Sequence, residues 1–193
     1  MDKAEIRERM LQARRALADE VVAEKNRAII SRLEQLPEFA QAQAVLTYVS
    51  SKDNEVDTQG LIEDLLREGR MVLVPIAGRD RVMVWSRLLS LDELAKGRFG
   101  ILEPPPEARR IMDPPGGAVA VVPGVAFTRE GWRIGYGGGY FDTFLAGFAG
   151  TSIAIAFEAQ MVESIPTDQH DVPMDMVVTE AAVYRRSEFR FGQ

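Results

Sequence analysis

The sequence predicts an α/β fold: a single three-layer αβα domain over residues 1–193, with helices on both faces of a mostly parallel central sheet. Three observations predict it. Segments whose apolar residues recur at helical spacing alternate with short apolar runs. Those runs are continuous and rich in β-branched residues, the pattern of strands buried on both faces. A glycine-rich arc lies between one such run and a helical segment, where open α/β sheets place their ligand crevices.

The elements follow in chain order. Asp2 and Glu5 form a capping pair, and Ile6, Met10, Ala13 and Leu17 recur at helical spacing, predicting a first helix to about residue 18. Asp19 is placed to cap a second helix whose buried face is Val22, Ile29, Ile30 and Leu33, with Pro37 ending it. Residues 44–49 read as a buried strand bounded by Ser50 and Ser51. Residues 57–68 read as a helix with Asp57 as N-cap, Leu61, Ile62, Leu65 and Leu66 apolar, and Gly69 as its stop. Strands are predicted at 71–74, 82–88 and 118–122, with a proline-rich loop over 103–117. The arc leads into a helix over 141–148, and strands at 153–157 and 176–179 complete the sheet.

Composition narrows the chemistry. Hydrophobic residues at 46% and charged residues at 27% are ordinary for a globular chain of 193 residues. The absence of cysteine excludes disulfides, thiolate nucleophiles and zinc–thiolate sites, and a lone histidine, His170, excludes multi-histidine metal centres. No run approaches the roughly 20 apolar residues that span a bilayer, and the first residues carry no apolar signal core. The expectation is a cytoplasmic, soluble, monomeric chain with no membrane or nucleic-acid partner, since a net charge of −6 lacks the basic field nucleic acid requires. A local anion site must therefore gather its cations from a few places.

The arc itself is Arg133-Ile134-Gly135-Tyr136-Gly137-Gly138-Gly139-Tyr140-Phe141-Asp142. Four glycines in five positions free the backbone to turn its N–H groups toward an anion, and the helix that follows favours phosphate at its N-terminus. The arc is neither a dinucleotide fingerprint nor a P-loop, because no Lys-Ser/Thr pair follows the glycines. Arg133 at its mouth can make a two-pronged contact to phosphate. Lys3 and Arg7, four residues apart, share one face of the first helix. Asp142 either complements the helix dipole or, facing a phosphate, holds a divalent cation, with Asp171 as the second hard ligand or a simple loop acid. Glu55 stands at a strand-to-helix junction with no evident structural task. Phe99, Trp85 and Trp132 offer flat faces to an aromatic ligand, core or rim packing being the simpler reading of each.

Taken together, the chain resembles the 5-formyltetrahydrofolate cyclo-ligase family, also called methenyltetrahydrofolate synthetases. The resemblance runs nearly end to end. It covers Lys3-Ala4-Glu5-Ile6-Arg7 with Arg14-Arg15, Glu55-Val56-Asp57-Thr58, and Gly100-Ile101-Leu102-Glu103-Pro104. It continues with Val122-Pro123-Gly124-Val125-Ala126-Phe127, the arc from Gly131 to Asp142, Asp168 to Asp175, and Val177-Val178-Thr179-Glu180. The resemblance implies a ligase that uses ATP and Mg2+ to close 5-formyltetrahydrofolate into 5,10-methenyltetrahydrofolate through a phosphorylated formyl group, releasing ADP and phosphate. It implies ATP on Lys3, Arg7, Arg133, Gly135, Tyr136, Gly137, Gly138, Gly139 and Tyr140, and magnesium on Asp142 and Asp171. Glu55 would contact the folate, with Phe99 and Tyr140 beside it, while Arg133 and Asp142 would act at the transferring phosphoryl group. Phe141 stands where the family's loop usually has a second tyrosine, and Thr143 where a basic residue is common. A non-catalytic nucleotide- or folate-binding relative and a sugar-phosphate isomerase-like enzyme are the competing readings.

Overall fold

The computed structural model describes residues 1–51, 53–78, 80–97 and 100–186. Its centre is a seven-stranded sheet built from β1 (Ala44–Thr47), β2 (Met71–Ala77), β3 (Met83–Leu88), β6 (Val119–Val122), β9 (Thr151–Ile155), β10 (Met176–Val178) and β11 (Val183–Arg185). Two short ribbons, β4 (Ala95–Lys96) with β5 (Leu102–Glu103) and β7 (Ala126–Phe127) with β8 (Arg133–Ile134), stand outside it. The strand order is β11-β10-β9-β6-β1-β2-β3, parallel throughout its interior and antiparallel only at the two edges, where β3 and β11 lie. From β1 the chain moves one way to β2 and β3, then returns to place β6 on the other side. The direction of winding thus reverses between β1 and β6, and the crevice outside their carboxyl ends is where such sheets bind ligands.

Alternation along the strands explains the layers. Val45, Val72, Val119, Val121, Ile153 and Val178 face one side, covered by Ile29 and Leu33 of α2 (Asp19–Glu34) and Leu61, Ile62 and Leu65 of α4 (Gln59–Arg67). Leu46, Leu73, Ala120, Val122 and Ala154 face the other, covered by α5 (Tyr140–Leu145) and the aromatic cluster behind it. Trp85 of β3 meets Phe144 at 4.9 Å and Phe141 at 6.5 Å between ring centres, so it is a core residue rather than a ligand platform. Small alanines on this face leave room for those rings. α1 (Lys3–Arg15) packs Ile6 and Met10 on Val125, Ala126 and Ile134.

The opening helix starts as expected: Asp2 Oδ1 accepts from Ala4 and Glu5 N–H at 2.8 and 2.9 Å, and Glu5 Oε2 accepts from Asp2 N–H at 2.8 Å. Other boundaries move. Asp19 does not cap α2; Ala18 holds that position without a side-chain bond, and Asp19 only adds negative charge to the first turn. Pro37 does not simply end α2 but opens a further turn, α3 (Pro37–Ala40), where a missing N–H is harmless. Strand β1 stops at Thr47 and α4 starts at Gln59, because the intervening side chains bond one another. Thr58 Oγ1 donates to the Tyr48 carbonyl at 2.7 Å and accepts from Ser50 N–H at 3.0 Å. Asp57, expected as the N-cap, lies one residue before the cap position Thr58, but its Oδ1 still accepts from Gln59 N–H at the head of α4 at 3.1 Å, as well as from Ser50 Oγ at 2.7 Å. α5 ends at Leu145, short of the expected 148. The 103–117 loop is ordered, with a 3-10 turn at Pro106–Ala108 and a bridge from Ile111 to Ser86 that shields the edge strand β3.

Candidate active site

A cavity of about 1540 Å3 opens at the carboxyl ends of β1, β2 and β6, lined there by Tyr48, Val49, Pro75 and Pro123. A pocket for one small ligand measures about 300–1,000 Å3, so this one has room for two ligands side by side. The glycine arc, α1 and the 167–172 segment form its remaining walls.

Arg133 comes from the β7–β8 ribbon, whose tip turns at Gly131 with φ +90°. A Cβ there would lie 2.3 Å from the Met174 carbonyl oxygen, and Met174 N–H donates to the Gly131 carbonyl at 2.8 Å. Only glycine permits that approach, and it is what carries the segment ending at Met174 beside the arc. Arg133 is 7% exposed. Its Nη2 donates to Asp142 Oδ1 at 2.9 Å, while its Nε is buried without a partner among the described residues. Burial pulls this guanidinium below its ordinary value, with Asp142 and Asp171 opposing. Gly135 is needed as well, since a Cβ would fall 2.6 Å from Arg133 Nη1. Gly137 and Gly139 adopt φ of +99° and +71°. With α5 only six residues long, its macrodipole adds little, and anion recognition falls to the arc's backbone and the cations around it.

The pair on α1 reaches the site. Lys3 Nζ contacts Asp168 Oδ2 at 2.7 Å and Asp171 Oδ2 at 2.5 Å, and Arg7 Nε donates to the Gly135 carbonyl at 2.8 Å. Asp171 is held in a turn in which its N–H donates to the Asp168 carbonyl at 3.0 Å and its Oδ2 accepts from Asp168 N–H at 2.7 Å. Burial alone would raise the Asp171 carboxyl, but the Lys3 ammonium and that N–H outweigh it and hold it below the ordinary value. The same exchange raises Lys3, against the opposing effect of burial. Asp142 and Asp171 thus line one cavity, each already facing a cation. No cluster of three or more histidine or acidic side chains suited to a metal occurs among the described residues.

On the opposite wall Glu55 Oε1 accepts from Tyr136 Oη at 2.9 Å. Burial, followed by the nearby Glu55 charge, pushes the Tyr136 hydroxyl well above its ordinary value. Tyr140 Oη donates to the Gly78 carbonyl at 3.2 Å, tying the arc to the β2–β3 turn. The positions expected to bind ATP, folate or magnesium therefore line one cavity, except Phe99, which lies outside the described residues. Neither Trp85 nor Trp132 lines it.

Two arginines stand at the site without a role in the sequence reading. Arg81, in the β2–β3 turn, sits against the arc with its Cδ 3.3 Å from where a Cβ on Gly139 would be, and makes no hydrogen bond or ion pair with a described residue. A turn arginine carries no sequence signal. Arg14, 2% exposed, approaches Tyr136 from behind. Its signal was present, since it follows Arg7 by two helical turns.

The 5-formyltetrahydrofolate cyclo-ligase family model matches residues 1–180. The 5-formyltetrahydrofolate cyclo-ligase of Escherichia coli strain K12 is 32% identical over 181 residues, covering 90% of this chain and 97% of that one. A probable 5-formyltetrahydrofolate cyclo-ligase of Schizosaccharomyces pombe is 29% identical, covering 88% and 90%. Among solved structures, the Aquifex aeolicus 5,10-methenyltetrahydrofolate synthetase superposes with a TM-score of 0.84 at 34% identity, covering 100% of this chain and 95% of that one.

Proposed function

The chain belongs to the 5-formyltetrahydrofolate cyclo-ligase family, and on that footing we propose that it closes 5-formyltetrahydrofolate to 5,10-methenyltetrahydrofolate using ATP and magnesium. The formyl oxygen is a poor leaving group. Transfer of the γ-phosphoryl group to that oxygen releases ADP and leaves the formyl carbon, iminium-like toward N5, bearing an O-phosphate. N10 then attacks the formyl carbon and loses its proton, and the carbon–oxygen bond breaks to release inorganic phosphate. Positioning and charge neutralisation dominate phosphoryl transfer, so the protein supplies no nucleophile and no general base is assigned.

The observation that supports this reading most is Arg133, buried with an unpartnered Nε beside the arc. An orphaned buried donor is costly unless a ligand satisfies it, and a phosphate oxygen would. Arg7 and Lys3 would share the triphosphate, and Tyr140 would sit between nucleotide and folate. Magnesium is held typically by one or two carboxylates plus phosphate oxygens. Asp142 Oδ2 and Asp171 Oδ1 accept no hydrogen bond from the described residues, so these two side chains fit that role. When bound, the ion would neutralise charge on the transferring phosphoryl group. Glu55 would accept N–H donors of the folate.

Mixing the purified protein, 5-formyltetrahydrofolate and Mg-ATP should give the ultraviolet band of the methenyl product. No ATP-dependent band with authentic substrate would refute the reading.

A further inference from the structure

Arg14 is the least exposed cation among the described residues, at 2%, and it makes no ion pair with a described residue. A buried charge without a counter-ion loses hydration that only well-placed hydrogen bonds can offset. Arg14 makes three. Nε donates to the Asp53 carbonyl at 2.6 Å, Nη1 to the Gly124 carbonyl at 3.1 Å, and Nη2 to Tyr136 Oη at 2.5 Å. One guanidinium thus joins the loop that precedes Glu55, the end of the β6 segment, and the glycine arc.

The third bond has a chemical consequence. Arginine has donors and no acceptor, so the Tyr136 oxygen must receive its N–H and the phenolic proton must point elsewhere. It points to Glu55 Oε1 at 2.9 Å, giving a chain from Arg14 through Tyr136 to Glu55. The Glu55 side is held as firmly. Asp53 and Asn54, just before it, take φ of +56° and +50°, a left-handed turn unusual for residues other than glycine. Contacts to the end of α1 and the residues just past it hold that turn: Arg14 on the Asp53 carbonyl, Arg15 Nε and Nη2 on Asp53 Oδ1 at 2.8 and 2.7 Å, and Asn54 Nδ2 on the Arg14 and Leu17 carbonyls, each at 3.4 Å. The end of α1 is thereby a template for Glu55.

We propose that Arg14 is a positioning residue that fixes the Tyr136 hydroxyl on Glu55 and so presents the Glu55 carboxylate to the folate. This rests on the functional reading above only for the identity of the ligand. Arg14 stays behind the wall, and its effect reaches substrate through Tyr136.

The test combines a double-mutant cycle with a measurement on the free protein. Arg14→Lys keeps the charge but not the three-way fork. It should lower kcat/KM for folate about tenfold, the worth of one charge-assisted hydrogen bond, with the KM for ATP unchanged. Tyr136→Phe should lower kcat/KM for folate by a similar factor, and the double variant should be no worse in kcat/KM for folate than the poorer single one. A purely structural Arg14 gives losses that multiply and an altered KM for ATP, which overturns the proposal. In protein labelled with 13C at tyrosine Cζ, the Tyr136 resonance, assigned by Tyr136→Phe, should move in Arg14→Lys and in Glu55→Gln. An unmoved Tyr136 signal in Arg14→Lys also overturns it. Should Arg14→Lys not fold, Tyr136→Phe must shift the Arg14 Nη–H resonance, and failure to do so is equally fatal. Absence of turnover in the wild type would remove the functional reading, and the resonances would still decide on Arg14.

Discussion

Asp142→Asn separates two tasks of one carboxylate. Asp142 Oδ1 accepts from Arg133 Nη2 at 2.9 Å, with side-chain exposures of 3% for Arg133 and 24% for Asp142. Removing one partner of a fully buried pair costs about 3–5 kcal/mol. The amide oxygen still accepts this hydrogen bond, and solvent reaches Asp142, so the expected loss is about 1–2 kcal/mol, or a Tm lower by roughly 2–8 °C. Turnover should fall far more, about 100-fold or beyond, because the lost charge is one that would hold magnesium and phosphate in place. The assay is formation of the methenyl band across a magnesium titration, with a thermal melt of the same preparation. Turnover within about threefold of wild type and an unchanged magnesium dependence would refute the reasoning, leaving Asp142 as a counter-ion to Arg133 alone.

Lys3→Ala should raise the apparent KM for ATP about tenfold, with the KM for folate moving less than about twofold; an effect confined to folate would reverse the assignment of that wall. Gly131→Ala, which drives a Cβ to 2.3 Å from the Met174 carbonyl at a φ of +90°, should lower the melting temperature by roughly 6–12 °C or abolish folding. An unaltered melt would show that the ribbon tip shifts freely. Glu180 bonds Lys25 Nζ and accepts from Glu158 N–H at 2.8 Å. Burial would raise its carboxyl, but Lys25 and that N–H hold it below the ordinary 4.5. Its stabilisation is therefore complete above pH 4.5 and lost as pH falls through the depressed folded value. Glu180→Gln should melt about 2–6 °C below wild type at pH 7 and converge with it in acid; a gap that persists or widens in acid would contradict the assignment.

Much of this molecule was legible locally. The capping pair at Asp2 and Glu5, the apolar period of Ile6 and Met10, the buried runs around Val45, Val72 and Val119, and the arc all act within a few residues of themselves. Their conformations follow from side-chain chemistry and backbone freedom before any tertiary contact. Lys3 and Arg7 on one helix face, and Glu55 at a strand end, were readable for the same reason. Boundaries were less so: Thr58 caps α4 while its hydroxyl is held by the Tyr48 carbonyl and Ser50 N–H beyond β1, partners the local pattern does not show.

The amino-acid sequence by itself determined an α/β chain with a glycine cradle, a small set of cations and a few candidate carboxylates. Tertiary structure decided which of these meet. Arg14 finds Tyr136 across 122 residues, and Tyr136 finds Glu55 across 81, because the sheet order places β6 beside β1 and folds α1 over the ends of both. Likewise Asp171 faces Lys3 across 168 residues because Gly131 lets the Met174 backbone approach. The physical reason is that backbone propensity has the range of a helical turn, whereas burying a cation or seating a carboxylate depends on what sheet topology brings to its other side.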